Sequence, residues 1–322
     1  MKRRMVYPDV LRALSCIAVV FLSVSMAAGS TALSGLLTWA VPLFVMLSGM
    51  FFLDGSWYIS PRDMARKYAM RLLASYIVWF VVAAVVNQAT GGVLQGILSG
   101  QGLYLNFLFV MIILYAISPV LRVFTRAAQP KELQFVVIFG YLIGCVYPFF
   151  QILLGTTHLA DYAMLGFGLI AVFVTGWYLR SAMFTRRQLR VIYLLGGICL
   201  LLTLRGFWFG STAFTTDPAM MIVSPDAVLI AMALFLVVKN TLSGMRLSRR
   251  VLRPIAALSQ LSFGIYLIHP ILLAVLCYML NRAGVVLPAG VFIPVAAIVL
   301  LIVSGALAYL IRKIPKIGKY LA

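Results

Sequence analysis

The chain has 322 residues; 64% are hydrophobic, 10% are charged, and 26 Lys+Arg against 7 Asp+Glu leave a net charge of +19. Soluble domains are roughly 45–50% apolar and about 25% charged, so a mean hydropathy of +1.08 leaves no room for a soluble domain of useful size. In a soluble protein the basic excess would suggest nucleic acid. Here it sits in short loops between apolar runs and reads as membrane topology, so no nucleic-acid partner is expected.

Runs of about 20 apolar residues, the length that crosses a hydrocarbon core, predict an all-α polytopic membrane protein. The spans fall at 8–28, 32–53, 71–88, 103–123, 133–154, 161–181, 190–209, 219–239, 259–280 and 290–311. Every second connection is basic. Lys2, Arg3 and Arg4 precede the first span, and Arg62, Arg66, Lys67 and Arg71 separate the second from the third. Arg122, Arg126 and Lys131 follow the fourth span, and Arg180, Arg186, Arg187 and Arg190 the sixth. Lys239, Arg246, Arg249, Arg250 and Arg253 follow the eighth, and Arg312, Lys313, Lys316 and Lys319 close the chain. The opposite connections hold only Arg282. This alternation predicts both termini in the cytoplasm of a multi-pass protein whose solvent is the lipid bilayer.

The start of the chain has features of a signal peptide, with a basic triplet, an apolar run and Ser25-Met26-Ala27-Ala28. Asp9 and Arg12 interrupt that pattern, and losing the first span would break the charge alternation, so the segment is expected to be retained. Cys16, Cys145, Cys199 and Cys277 lie inside apolar spans without metal-ligand spacing and read as core residues.

Charged side chains at membrane depth are candidate functional groups. Asp9 and Arg12, three residues apart, share a helical face and fit either an interfacial ion pair or an anion site. An arginine fork suits phosphate. Arg12, Ser15, Val19 and Ser23 follow one another along that face, with Ser23 about 16 Å beyond Arg12; alone, Ser23 reads as a helix-packing residue. Arg71 opens the third span and either snorkels to the interface or meets an anion. Arg205 lies near the outer end of the seventh span beside aromatics and is a candidate for an anionic ligand. Ser224-Pro225-Asp226 reads as a helix start inside the eighth span. His158 falls in an outward loop near Asp161. His269, followed by Pro270, lies in the ninth span and is either a possible general base or a structural histidine bonded to a freed carbonyl.

Four stretches in order resemble the acyltransferase-3 family of bacterial membrane O-acyltransferases, over essentially the whole chain. They are Asp9-Val-Leu-Arg12, the run from Val41 to Gly49, the basic approach Arg66-Lys67 to Arg71 and on to Tyr76, and Leu261-Ser-Phe-Gly-Ile-Tyr266-Leu-Ile-His269-Pro270. The resemblance implies a single membrane domain spanning the chain, in a bacterial inner membrane. It also implies transfer of an acyl group, usually acetyl, from acyl-CoA to a hydroxyl of a cell-envelope glycan or lipid-linked sugar. Acyl-CoA is then a donor substrate, and no permanently bound cofactor is expected. Arg12, with Arg71, is implied on the CoA side. Tyr104, Asn106, Tyr266 and Arg205 are candidates for substrate contact, and no metal site is expected.

The family's first helix carries an arginine, ten intervening residues and a histidine that acts as base. Here ten residues follow Arg12 and the next is Ser23. Related enzymes often read His-Leu-Trp-Phe where this chain has Tyr104-Leu105-Asn106-Phe107. A serine cannot take a proton at neutral pH as histidine can, and losing a general base costs about 10²–10⁴-fold in rate. Three readings are therefore open. His269 serves as base on a rearranged site, Ser23 is itself acylated with a base in reach, or the protein binds acyl-CoA or exports a glycan or glycolipid without turnover. An ion-coupled transporter is disfavoured, because only Asp161 and Asp226 are acidic within the outer spans.

Overall fold

The computed structural model describes residues 5–54, 60–93, 103–153, 159–209, 223–243, 245, 248–315 and 318. Among these the regular structure is helical throughout. In chain order the elements are α1 (Tyr7–Ala27), α2 (Thr31–Leu37), α3 (Ala40–Phe52), α4 (Pro61–Asp63), a π-helical stretch (Met64–Ala69), α5 (Met70–Ala89) and α6 (Leu103–Ala127). They continue with α7 (Pro130–Tyr141), a second π-helical stretch (Leu142–Val146), α8 (Tyr147–Leu153), α9 (Leu159–Ser181), α10 (Arg186–Phe209), α11 (Pro225–Leu242), α12 (Arg249–Arg282) and α13 (Ala289–Arg312). Nine helical segments among the described residues are long and apolar enough to cross a membrane. The remaining expected span, 161–181, falls in α9, which is 23 residues long.

Proline chemistry accounts for most departures from the expected spans. The apolar run 32–53 is continuous in sequence but breaks into α2 and α3. Pro42 has no N–H and its ring crowds the carbonyl four residues back. Thr38 O instead accepts from Val41 N at 3.2 Å, closing a tighter turn. Pro148 has the same effect on the span expected at 133–154, where a π-helical stretch ends just before it. That span starts earlier than expected, at Pro130, behind a capping box in which Gln129 and Glu132 satisfy each other's backbone N–H groups. The span expected at 219–239 begins at Pro225, and residues 219–222 lie outside the described set. Ser224 occupies the N-cap position there, but its hydroxyl makes no cap bond. The ninth span extends from 259 back to Arg249 and runs for 34 residues, about 51 Å at helical rise. Its basic first turns therefore project beyond a hydrocarbon core of about 30 Å.

Helix α1 lies at the centre of the bundle and packs against α2, α3, α11, α12 and α13. Behind it, α3 and α9 form the tightest contact among the described residues. A Cβ placed on Gly49 would lie 1.8 Å from Phe173 O, and one on Gly176 would lie 1.7 Å from Met46 O. These two backbones touch because neither glycine has a side chain, the usual basis of close packing where lipid supplies no hydrophobic drive. Large apolar side chains cover the outside, among them Ile77, Phe80, Val81 and Val85 on α5, Leu194 and Leu201 on α10, and Ile302 and Leu310 on α13. Such a surface suits lipid and would be insoluble in water.

Several basic residues that mark topology in the sequence also tie helix ends together. Arg180 donates to Asp54 Oδ2 at 2.7 Å and to Met50 O at 3.0 Å. Arg122 donates to Asp54 O at 2.8 Å. Lys239 Nζ donates to Leu179 O at 2.6 Å and to Arg180 O at 2.9 Å. A cation on the last carbonyls of a helix satisfies acceptors that the helix cannot, and it complements the negative end of the dipole.

Candidate active site

Ser23 and His269 are 246 residues apart in sequence and meet at the contact of α1 with α12. Ser23 Oγ lies 3.1 Å from His269 Nε2, and both residues are buried, at 8% and 1% exposure. The other ring nitrogen, Nδ1, lies 2.9 Å from Ile265 O, one helical turn earlier. A carbonyl can only accept, so Nδ1 carries the proton. In the neutral ring Nε2 then holds a lone pair and accepts from the Ser23 hydroxyl. The carbonyl bond expected of a structural histidine is therefore present, and it is what fixes the ring for a chemical role. A hydroxyl, a base in reach and a third group that orients the base form the general pattern of an activated nucleophile.

The sequence around His269 explains its presentation. Phe263, Tyr266 and His269 recur every three residues and so occupy one side of α12. Tyr266 stands between the rings of Phe107, 5.4 Å away, and His269, 6.0 Å away. Ser259, further back on α12, donates to Asp9 Oδ1 at 2.9 Å, which ties the start of α1 to the same helix. The Asp9–Arg12 pair expected from sequence is thus part of a wider link. Asp9 interacts electrostatically with Arg12 while also accepting from α12.

Two cavities meet here. The smaller, about 30 Å³, is lined by Ser23, His269, Val19, Met26, Phe44, Phe107 and Tyr266 among others. The larger, about 580 Å³, opens toward the basic end of the bundle. Arg12, Arg71 and Arg312 line it, with Tyr68, Tyr115 and Gln260. Phe44, Phe107 and Tyr266 line both cavities and form the neck between them. Arg12 lies over the Phe51 ring at 5.2 Å and Arg71 over the Phe263 ring at 6.0 Å. Both guanidinium groups thus lie against aromatic rings, which helps to hold them in place. Arg312 donates to Gln260 O at 2.9 Å.

A family model described as an acyltransferase domain matches residues 5–311. The chain belongs to the acyltransferase-3 family. No curated protein and no solved structure matches it. Acyltransferase-3 membership and the apolar helices together make this a multi-pass membrane protein of an acyltransferase family.

Of the residues singled out in the sequence, the fold brings together Ser23, His269 and Tyr266 around the smaller cavity and places Arg12 and Arg71 in the larger one. Tyr104 and Asn106 lie in the first turn of α6, and Arg205 lies in α10; their side chains are outside the described residues, as is His158 altogether. Ser15, expected on the face that joins Arg12 to Ser23, lines neither cavity and is wholly buried. Sequence reasoning missed Arg312 and Tyr115. Arg312 looked like one more topology charge at the end of a span, and Tyr115 like one aromatic among many in a lipid-facing helix.

Proposed function

We propose that the protein is a membrane O-acyltransferase that moves a short acyl group, acetyl, from acyl-CoA to a hydroxyl of a cell-envelope glycan or lipid-linked sugar, in a bacterial inner membrane. The observation that carries this reading is the Ser23–His269 pair in a small cavity that shares Phe44, Phe107 and Tyr266 with the arginine-lined one. It supplies a base on α12 where the family's first-helix histidine is missing, so the departure at Ser23 does not leave the site without a proton acceptor.

The cavity fits the donor chemically. Acyl-CoA carries phosphates at one end and a thioester at the end of a long, thin arm. Arg12, Arg71 and Arg312 suit the phosphates, because guanidinium forks make paired, charge-assisted hydrogen bonds to phosphate oxygens. The 11-residue step from Arg12 to Ser23 along α1 covers about 16 Å, comparable to an extended phosphopantetheine arm. The arm would pass the ring of Phe107, and the thioester would reach Ser23 and His269. Tyr266, at the neck, is placed to contact the thioester end. Tyr104, Asn106 and Arg205 remain candidates for the acceptor side. Burial of Ser23 and His269 limits access of water, which would otherwise compete with the sugar hydroxyl for the acyl group.

The test is transfer of labelled acetyl from acetyl-CoA to envelope glycans in membranes with and without the protein. Label in glycan that depends on the protein and is competed by free CoA is the expected result. Binding of CoA with no labelled product would instead favour a non-catalytic relative.

A further inference from the structure

Resting on the function just proposed, we infer that Ser23 is an acyl carrier: the acyl group passes from CoA to Ser23 Oγ and only then to the acceptor, in two displacements that share His269 as base.

Three observations carry this. First, Nε2 of His269 has one lone pair, and the hydroxyl seated on it at 3.1 Å is that of Ser23. A sugar hydroxyl could use the base directly only by displacing it. Second, among the side chains that line the cavity at the pair, Ser23 carries the one aliphatic hydroxyl, so a thioester that passes the neck meets Ser23 Oγ already seated beside its base. Third, the neck rings Phe44, Phe107 and Tyr266 separate this cavity from the arginine-lined one. CoA can therefore leave toward the basic end while the acyl group stays behind.

The steps balance. His269 Nε2 takes the Ser23 proton as Oγ attacks the thioester carbonyl, and the new C–O ester bond forms. The C–S bond breaks, and the departing thiolate takes the proton from the imidazolium and leaves as CoA thiol. In the second half the acceptor hydroxyl gives its proton to Nε2 and attacks the Ser23 ester. The ester C–O bond to Ser23 breaks, Oγ recovers a proton from the imidazolium, and the sugar ester is released.

The experiment incubates the purified full chain with labelled acetyl-CoA and no acceptor, then denatures it and locates the label by peptide mass. A mass gain of one acetyl group on the peptide containing Ser23 is expected. It should be absent in Ser23→Ala and His269→Ala and lost when acceptor-bearing membranes are added. Ser23→Cys keeps a nucleophile in the same place and should give a thioester that neutral hydroxylamine releases. Glycan labelling by Ser23→Ala near the wild-type rate would overturn the carrier and leave the acyltransferase reading standing. Label on Ser23 that acceptor membranes do not discharge would also overturn it. Neither protein label nor glycan label would overturn both.

Discussion

Ser23 illustrates how a single side chain changes meaning with its surroundings. On α1 alone it is a small polar residue of the kind that lets membrane helices approach. Beside His269 Nε2 it becomes the hydroxyl on a base whose other nitrogen is already committed to Ile265 O. His269→Ala should lower acyl transfer by about 10²-fold or more, the usual worth of a general base, with folding intact; assay of glycan label beside a thermal melt in detergent checks both. Ser23→His should not restore a more active enzyme, because it removes the hydroxyl seated on His269 Nε2. A rate increase in that variant would show that the pair is not the working base. Arg12→Ala should raise KM for acyl-CoA about tenfold or more with a smaller effect on kcat. Hydrogen bonds to charged groups contribute about 1.5–3 kcal/mol, and about 1.4 kcal/mol is a factor of ten. An unchanged KM would remove Arg12 from the donor site. The Ser23–His269 pairing is not legible in the sequence beyond residue type: His269 reads equally as base or structural residue, and 246 residues of chain separate it from its partner.

At the scale of the element, the apolar runs predict where helices lie, and proline and glycine decide their shape. The sequence placed α1, α5 and α13 to within a residue or two of their observed ends. The run 32–53 is found as one membrane-crossing segment, Ala32–Phe52, and the turn at Thr38-Trp39 within it is invisible to hydropathy, because the run around Pro42 is apolar on both sides. The sequence missed the long basic start of α12, because charged turns outside the hydrocarbon leave no apolar signal. Gly49 stands in the apolar run of α3 for a reason that hydropathy does not carry, its backbone contact with Phe173 of α9. Gly49→Val should therefore destabilise the protein by about 1–3 kcal/mol or more through overpacking. Gly197→Ala, on α10 with open space around its Cβ position, should be neutral or slightly stabilising. Thermal midpoints of both variants in one detergent check this pair of expectations; equal midpoints would contradict the α3–α9 contact.

The whole molecule combines two patterns with different origins. The alternation of basic and uncharged connections sets which way the bundle faces. The convergence of α1, α3, α5, α6 and α12 sets where the cavities lie. Some residues serve both: Arg71 and Arg312 belong to the basic end and also line the larger cavity. Hence the larger cavity should be reached from the side on which a cytoplasmic donor such as acyl-CoA is found. Gln88→Cys, at the end of α5, and Arg187→Cys, at the start of α10, should be alkylated from opposite sides of the membrane. Both are exposed, whereas the native Cys16 and Cys145 are buried. Labelling of both from one side would contradict the topology. The all-helical, multi-pass character was readable in composition and charge, while the cavity was not, because it forms between helices that are distant in sequence.

The most direct measurement compares labelled acetyl transfer from acetyl-CoA to envelope glycans by wild-type, Ser23→Ala and His269→Ala membranes at equal protein levels. The Ser23–His269 site predicts transfer by the wild type and a loss of about 10²-fold or more in both variants. Wild-type rates in His269→Ala, or no transfer by the wild-type protein, would contradict it.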